Sequence, residues 1–199
     1  MVKLIIEGGS PNLAIDGRRA FNKLLCNAGF EGKMPQIIIA GGRGKAYDCY
    51  KNQLKNNVKA VLLVDSELPI DSKFKDKPWD FLKENENWDW LEKLDNKTCH
   101  LMVQCMETWF LADKENLQKY FGNGFSIKFF QKKSIEKINK RELLIQLNAA
   151  TNKCKTKKNY DKGRDSFKIL MCTSPQKISH ASYWAKRFFT DLGQIMNNS

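Results

Sequence analysis

Four short apolar runs, separated by segments of helical pattern, constrain this chain most. They span residues 2–7, 36–40, 59–65 and 99–105. Each is apolar at nearly every position and rich in Ile, Val and Leu. Runs of that kind read as strands buried on both faces, the habit of parallel sheets covered by crossover helices. The segments between them carry helix signals. Ser10 and Pro11 offer an N-cap hydroxyl followed by proline at the first helical position. Leu13, Phe21, Leu24, Leu25 and Ala28 then form one apolar face. A second helix is expected over residues 45–56, with Tyr47, Tyr50 and Leu54 on one side. The pattern predicts an α/β fold, a Rossmann-like and mainly parallel sheet of about four strands flanked by helices.

Residues 68–98 break the alternation. They contain Pro69, Pro78, many charges and the tryptophans Trp79, Trp88 and Trp90. We read a long insertion with a short helix near 88–94, whose tryptophans pack it onto the body; stacking on bases is the alternative. Met106–Asp113 predicts a turn and a short helix. Beyond it the chain reads as helical and basic. Asn139-Lys140-Arg141-Glu142 has capping-box form, with Ile138 and Leu143 placed as a hydrophobic staple. Residues 152–165 form a basic loop, 166–172 a helical stretch. A final helix over about 180–196 carries Trp184, Phe188, Leu192 and Ile195 as a core-facing stripe. The expected organisation is a core over 1–113 and a basic helical region over 114–199 packed on it.

The net charge of +12 is divided unevenly. Residues 1–113 carry 16 Lys+Arg against 16 Asp+Glu, whereas residues 114–199 carry 18 against 6. A basic half beside a neutral half suits a polyanion, DNA or RNA, though lysine-rich surfaces also serve solubility alone. The six cysteines form no CxxC pair and there are only two histidines, which argues against zinc. No apolar run reaches membrane-spanning length, and the first residues enter a strand without a leader pattern. A reducing, cytoplasmic setting is expected.

Chemistry is concentrated where strands end. Glu7 closes the first run and is followed by Gly8-Gly9; Asp65 and Glu67 close the third. In open parallel sheets, ligands bind outside the carboxyl ends of the strands. Alternate residues along an extended strand point the same way, so Asp65 and Glu67 present their carboxylates on one side and Ser66 points away. Three buried carboxylates repel one another unless a cation joins them, and hard oxygen donors suit Mg²⁺, with Mn²⁺ as a substitute. Glu107, after the fourth run, is a fourth catalytic candidate; the plainer role for it is an acid favoured at a helix start. Asp113 reads as a cap for the next helix.

Gly41-Gly42-Arg43-Gly44-Lys45 lacks the first glycine of a phosphate loop, and Ala46 stands where Ser or Thr would bind Mg²⁺. Nucleotide hydrolysis by this chain is therefore excluded. Arg43 and Lys45 remain candidates for holding a nucleic-acid phosphate, as do Lys157, Lys158, Lys162 and Arg164; taken singly, such residues are more often solvated charges than specific contacts.

An acid-glycine after strand one and a pair of acids after strand three of a compact α/β domain resemble the Toprim pattern. With Gly-Gly-Arg-Gly, Leu-Val-Asp-Ser-Glu, Met-Glu-Thr-Trp-Phe-Leu-Ala-Asp and Lys-Gly-Arg-Asp-Ser-Phe, most of the chain resembles a Toprim-related bacterial domain-of-unknown-function family, DUF4276. The resemblance implies a Toprim-like fold and a Mg²⁺-dependent nuclease of phage defence, acting beside an ATPase partner. It places Glu7, Asp65 and Glu67 as metal ligands, with Glu67 standing where the pattern has Asp. The rival expectation is a module without catalysis that docks on nucleic acid or on the ATPase.

Overall fold

A computed structural model describes residues 1–9, 11–88 and 94–198. The chain is α/β, with a four-stranded, all-parallel sheet flanked by helices. The strands are β1 (Lys3–Ile6), β2 (Gln36–Ile39), β3 (Ala60–Asp65) and β4 (Cys99–Met102). Their order across the sheet is β2-β1-β3-β4. β1 pairs β2 and β3 in parallel, and β3 pairs β4. The chain thus winds outward from β1 to β2 and then crosses back to the far side of β1. The reversal lies between β1 and β3, and the crevice at their carboxyl ends is where such sheets bind ligands.

Alternation along the strands feeds two cores. Leu4, Ile6, Val61, Leu63 and Met102 face one way, into a cluster completed by Phe21, Trp109, Phe167 and Phe188. Ile5, Leu62, Val64 and Leu101 face the other, against Tyr47, Tyr50, Trp79 and Leu82. The first layer is built by α1 (Ala14–Leu25), the 3₁₀ segment Met106–Asp113, α4 (Lys114–Phe121), α5 (Lys140–Thr151), α6 (Lys162–Cys172), α7 (Pro175–Ala181) and α8 (Tyr183–Asn197). The second is α2 (Arg43–Lys55) and α3 (Pro78–Glu86). Period-two exposure of apolar side chains on a sheet requires such a layer on each face. α1 crosses α6 closely because residue 17 is glycine. A Cβ there would come within 3.0 Å of Ile39 and 3.1 Å of Phe167.

Three boundaries differ from expectation. The insertion contains α3, nine residues long with Pro78 in its first turn. Its apolar face, Trp79, Phe81 and Leu82, is buried against the sheet. Trp88 stacks on Tyr47 with ring centroids 4.2 Å apart, so Trp79 and Trp88 serve packing rather than bases. The basic loop ends earlier than residue 165, because Asp161 caps α6 by accepting the Arg164 N–H at 2.7 Å. The final helix is α8, which starts at Tyr183 rather than near 180 because the Ser182 hydroxyl caps it by accepting the Ala185 N–H at 3.0 Å; α7 is a separate helix before it. Ser10 and most of the helix expected at 88–94 lie outside the described residues. No helix among the described residues is long and apolar enough to cross a membrane, and the six cysteines form no disulfide.

Candidate metal centre

Glu7 follows β1 directly and Asp65 is the last residue of β3, so adjacent strands deliver them to the same edge. The two are joined through the backbone: the Asp65 N–H donates to Glu7 Oε2 at 3.1 Å. Asp65 Oδ1 in turn accepts the Met106 N–H at 2.8 Å. Glu67 arrives by another route than strand alternation. Its φ is +62°, a left-handed turn that side chains other than glycine rarely adopt. The turn is held by the Ser66 and Glu67 N–H groups, which donate to the Met102 and Gln104 carbonyls at 3.0 and 2.9 Å. One carboxylate oxygen each from Glu7, Asp65 and Glu67 lies within 4.8 Å of the others. The three expected ligands therefore do meet at the carboxyl edge of the sheet.

Burial makes this meeting costly. Asp65 is only 5% exposed. Desolvation, then the charges of Glu7 and Glu107, push its carboxyl well above the ordinary value. Glu7 is raised too, chiefly by burial and further by Glu67, against the Asp65 N–H and the charges of Arg43 and Lys140. Two lysines supply partial compensation. Lys140, the first residue of α5, places Nζ 2.5 Å from Glu67 Oε1 and 3.9 Å from Asp65 Oδ2. Burial disfavours its charge, but the Glu67 hydrogen bond and the Asp65 charge outweigh that and raise it. Lys162 Nζ lies 3.1 Å from Glu107 Oε1.

Glu107 stands apart from the three ligands. Its side chain is completely buried, Oε1 accepts from the Tyr160 hydroxyl at 3.3 Å, and Oε2 has no partner among the described residues. A cavity of about 210 Å³ opens beside the acids, lined by Glu7, Gly8, Asp65, Met106, Lys162 and Phe167. The donor set fits a hard divalent cation: three carboxylates, no sulfur or imidazole, and a charge excess that burial penalises.

The basic candidates divide. Arg43 opens α2 at the same edge. Gly41, at φ +88°, turns the chain there, and its carbonyl accepts the Gly8 N–H at 2.8 Å. The Arg43 side chain is 12% exposed, 3.1 Å from Glu86 and 5.7 Å from the centre of the Trp88 ring. Lys45 is exposed in the same turn. Lys157 donates to the Tyr120 carbonyl at 2.5 Å, and Arg164 pairs with Asp165 at 2.7 Å; both are tied to the body. Lys158 is exposed. Only Lys162 of that group lines the cavity. Lys140 was not expected at the site. Its position beside Glu67 is a contact across 73 residues, and the capping pattern around it signals only a helix start.

The family model described as a domain of unknown function, DUF4276, matches residues 16–193. The chain belongs to this family. The match covers every strand but β1, and with them Asp65, Glu67, Glu107, Lys140 and Lys162. Glu7 lies before it and joins the DUF4276 part through β1. Among curated proteins and among solved structures, no match was found.

Proposed function

We propose that this DUF4276 chain is a Mg²⁺-dependent, Toprim-like endonuclease that hydrolyses phosphodiesters of nucleic acid. The observation that carries the reading is the meeting of three carboxylates from adjacent strand ends within 4.8 Å, beside a cavity that a lysine also lines. Glu7, Asp65 and Glu67 would hold the metal, which when bound polarises a phosphate oxygen and lowers the pKa of water. Glu7 has a second task. A carboxylate whose proton affinity burial has raised is suited to taking a proton from the attacking water. Lys162 faces the acids with its ammonium fixed on Glu107, where it can hold a phosphate oxygen and offset developing charge. Met106 N–H fixes the Asp65 carboxylate, and the apolar rim of Met106 and Phe167 restricts water.

The resemblance, rather than the geometry, supplies the setting: the effector of a phage-defence system beside an ATPase partner. A second reading is favoured by one contact. Lys140 already neutralises Glu67 at 2.5 Å, as it would in a module that binds nucleic acid or the ATPase without catalysis. Incubation of plasmid DNA, tRNA and long RNA with the protein in Mg²⁺, Mn²⁺ or EDTA separates them. We expect cleavage with metal, none in EDTA, and none by Glu7→Gln. Absence of both cleavage and Mn²⁺ binding in the parent would leave the module.

A further inference from the structure

Both basic stretches of the second half leave cations at the surface. In the 152–165 stretch, Lys157, Lys162 and Arg164 are held by Tyr120, Glu107 and Asp165, while Lys153, Lys155 and Lys158 are exposed. Between residues 127 and 145, Lys128, Lys132, Lys133 and Arg141 are exposed. Among the described residues, none of these four lies within ion-pair distance of a carboxylate. The acids of that stretch are turned inward. Glu136 accepts from the Ser182 hydroxyl at 2.5 Å and the Trp184 N–H at 3.1 Å. Glu142 accepts from the Gln131 amide.

Apolar side chains are exposed on the same stretch. Ile127 is 50% exposed, Phe129 47% and Ile145 61%. The segment 126–131 runs alongside α5, with the Ser126 N–H on the Ala150 carbonyl at 3.0 Å and the Gln131 N–H on Gln146 Oε1 at 3.4 Å. Phe129 and Ile145 are therefore exposed on two neighbouring elements. The second of these, α5, begins beside the acids, where Lys140 touches Glu67.

We propose that this face binds single-stranded nucleic acid, and, resting on the nuclease reading above, that it leads a strand into the acid cluster. The free cations match a chain of phosphates. The exposed phenyl ring and aliphatic side chains gain most from bases whose faces are open. In a duplex those faces are covered by stacking, so an exposed Phe among lysines selects single strands. Contacts of this kind read no particular sequence.

Fluorescence anisotropy in EDTA tests this without cleavage, using a labelled thymidine 20-mer and a duplex of the same length. The parent should bind the single strand more tightly. Phe129→Ala should weaken binding roughly tenfold while Phe129→Trp retains it. Replacing Lys128, Lys132, Lys133 and Arg141 by Gln should lower the log–log salt slope by about 0.7 for each phosphate no longer neutralised. Circular dichroism melts of the exposed-site variants check that the fold is kept. Equal affinity for duplex, or parental affinity in Phe129→Ala, overturns the proposal. So does no oligonucleotide binding at about 50 mM salt, which would assign the face to a protein partner. A parallel Mn²⁺ titration separates the two readings: oligonucleotide binding without metal binding breaks the nuclease assignment and leaves this one standing.

Discussion

Asp65 and Asp113 are both nearly inaccessible, 5% and 6% exposed, and both accept backbone N–H groups. Their charged surroundings differ. Asp113 caps α4 by accepting the Asn116 N–H at 3.3 Å, accepts the Ser174 N–H at 3.1 Å, and holds Lys177 Nζ at 2.8 Å. Burial alone would raise its carboxyl, but the Lys177 and N–H hydrogen bonds outweigh it and hold it below the ordinary value. Asp65 has one N–H, two acids within 4.8 Å, and its lysine at 3.9 Å. An acid whose lone pairs are filled stabilises the fold. An acid buried among acids costs stability, and a fold keeps one where function repays it.

Metal binding should break the symmetry most strongly. Replacing the Asp65 carboxylate by an amide keeps its shape and its acceptor for Met106 N–H, but removes a charged ligand. Calorimetric titration with Mn²⁺ should show Asp65→Asn binding at least about 100-fold more weakly. Asp113→Asn should bind as the parent does. Equal losses in both variants would mean that the effect passes through the fold, and the distinction between the two aspartates would fail.

Stability should move in opposite directions. In EDTA at neutral pH, Asp113→Asn should lose about 1–3 kcal/mol, as when one partner of a buried charged pair is removed. Asp65→Asn should gain about 1–2 kcal/mol by relieving an uncompensated buried charge. The pH dependence has matching signs. Asp65 titrates higher in the folded state than its ordinary 3.8, so the parent loses stability as pH rises from that value through the raised one. The advantage of Asp65→Asn therefore grows across that window and vanishes below it. Asp113 titrates lower than its ordinary 3.8; its contribution is present above that value and disappears as pH falls through the depressed one. Urea titrations at several pH values should show both differences shrinking in acid. A neutral-pH loss in Asp65→Asn would place that residue with Asp113 as a structural acid.

The comparison also marks what the sequence discloses. Glu7 and Asp65 were legible because four apolar runs imply a parallel sheet, and a parallel sheet puts strand-end acids on one edge. The cap role of Asp113 was legible from its place before a helical segment. Glu67 was placed correctly for a reason that does not hold: the strand stops at Asp65, and a left-handed residue held by Met102 and Gln104 does the turning. α3 was hidden by Pro78 and the dense charges around it, although proline suits a helix start. The stripe Trp184, Phe188, Leu192 and Ile195 made α8 legible, whereas α7 before it, seven residues long, is too short to show a stripe of its own. The lysines were least legible. Lys140, Lys162 and Lys177 resemble their neighbours in sequence, and only long-range packing decides which of them reaches an acid.

The smallest effect isolates what burial contributes at the structural aspartate. Lys177 Nζ lies 2.8 Å from Asp113 Oδ1 and 2.8 Å from Glu115 Oε2, yet the Glu115 side chain is 80% exposed and that of Asp113 8%. Distance alone would rate the two pairs alike. Water and salt screen the exposed pair, while holding a long side chain in place costs entropy. Glu115→Gln should therefore leave the urea midpoint unchanged at moderate salt, in the same measurement that detects Asp113→Asn. Lys177→Met should behave as Asp113→Asn does, because it leaves the buried carboxylate without its cation. A Glu115→Gln loss equal to that of Asp113→Asn would show that the lysine needs both acids to stay in place. Asp113 would then depend on a surface charge, and its contrast with Asp65 would be one of degree.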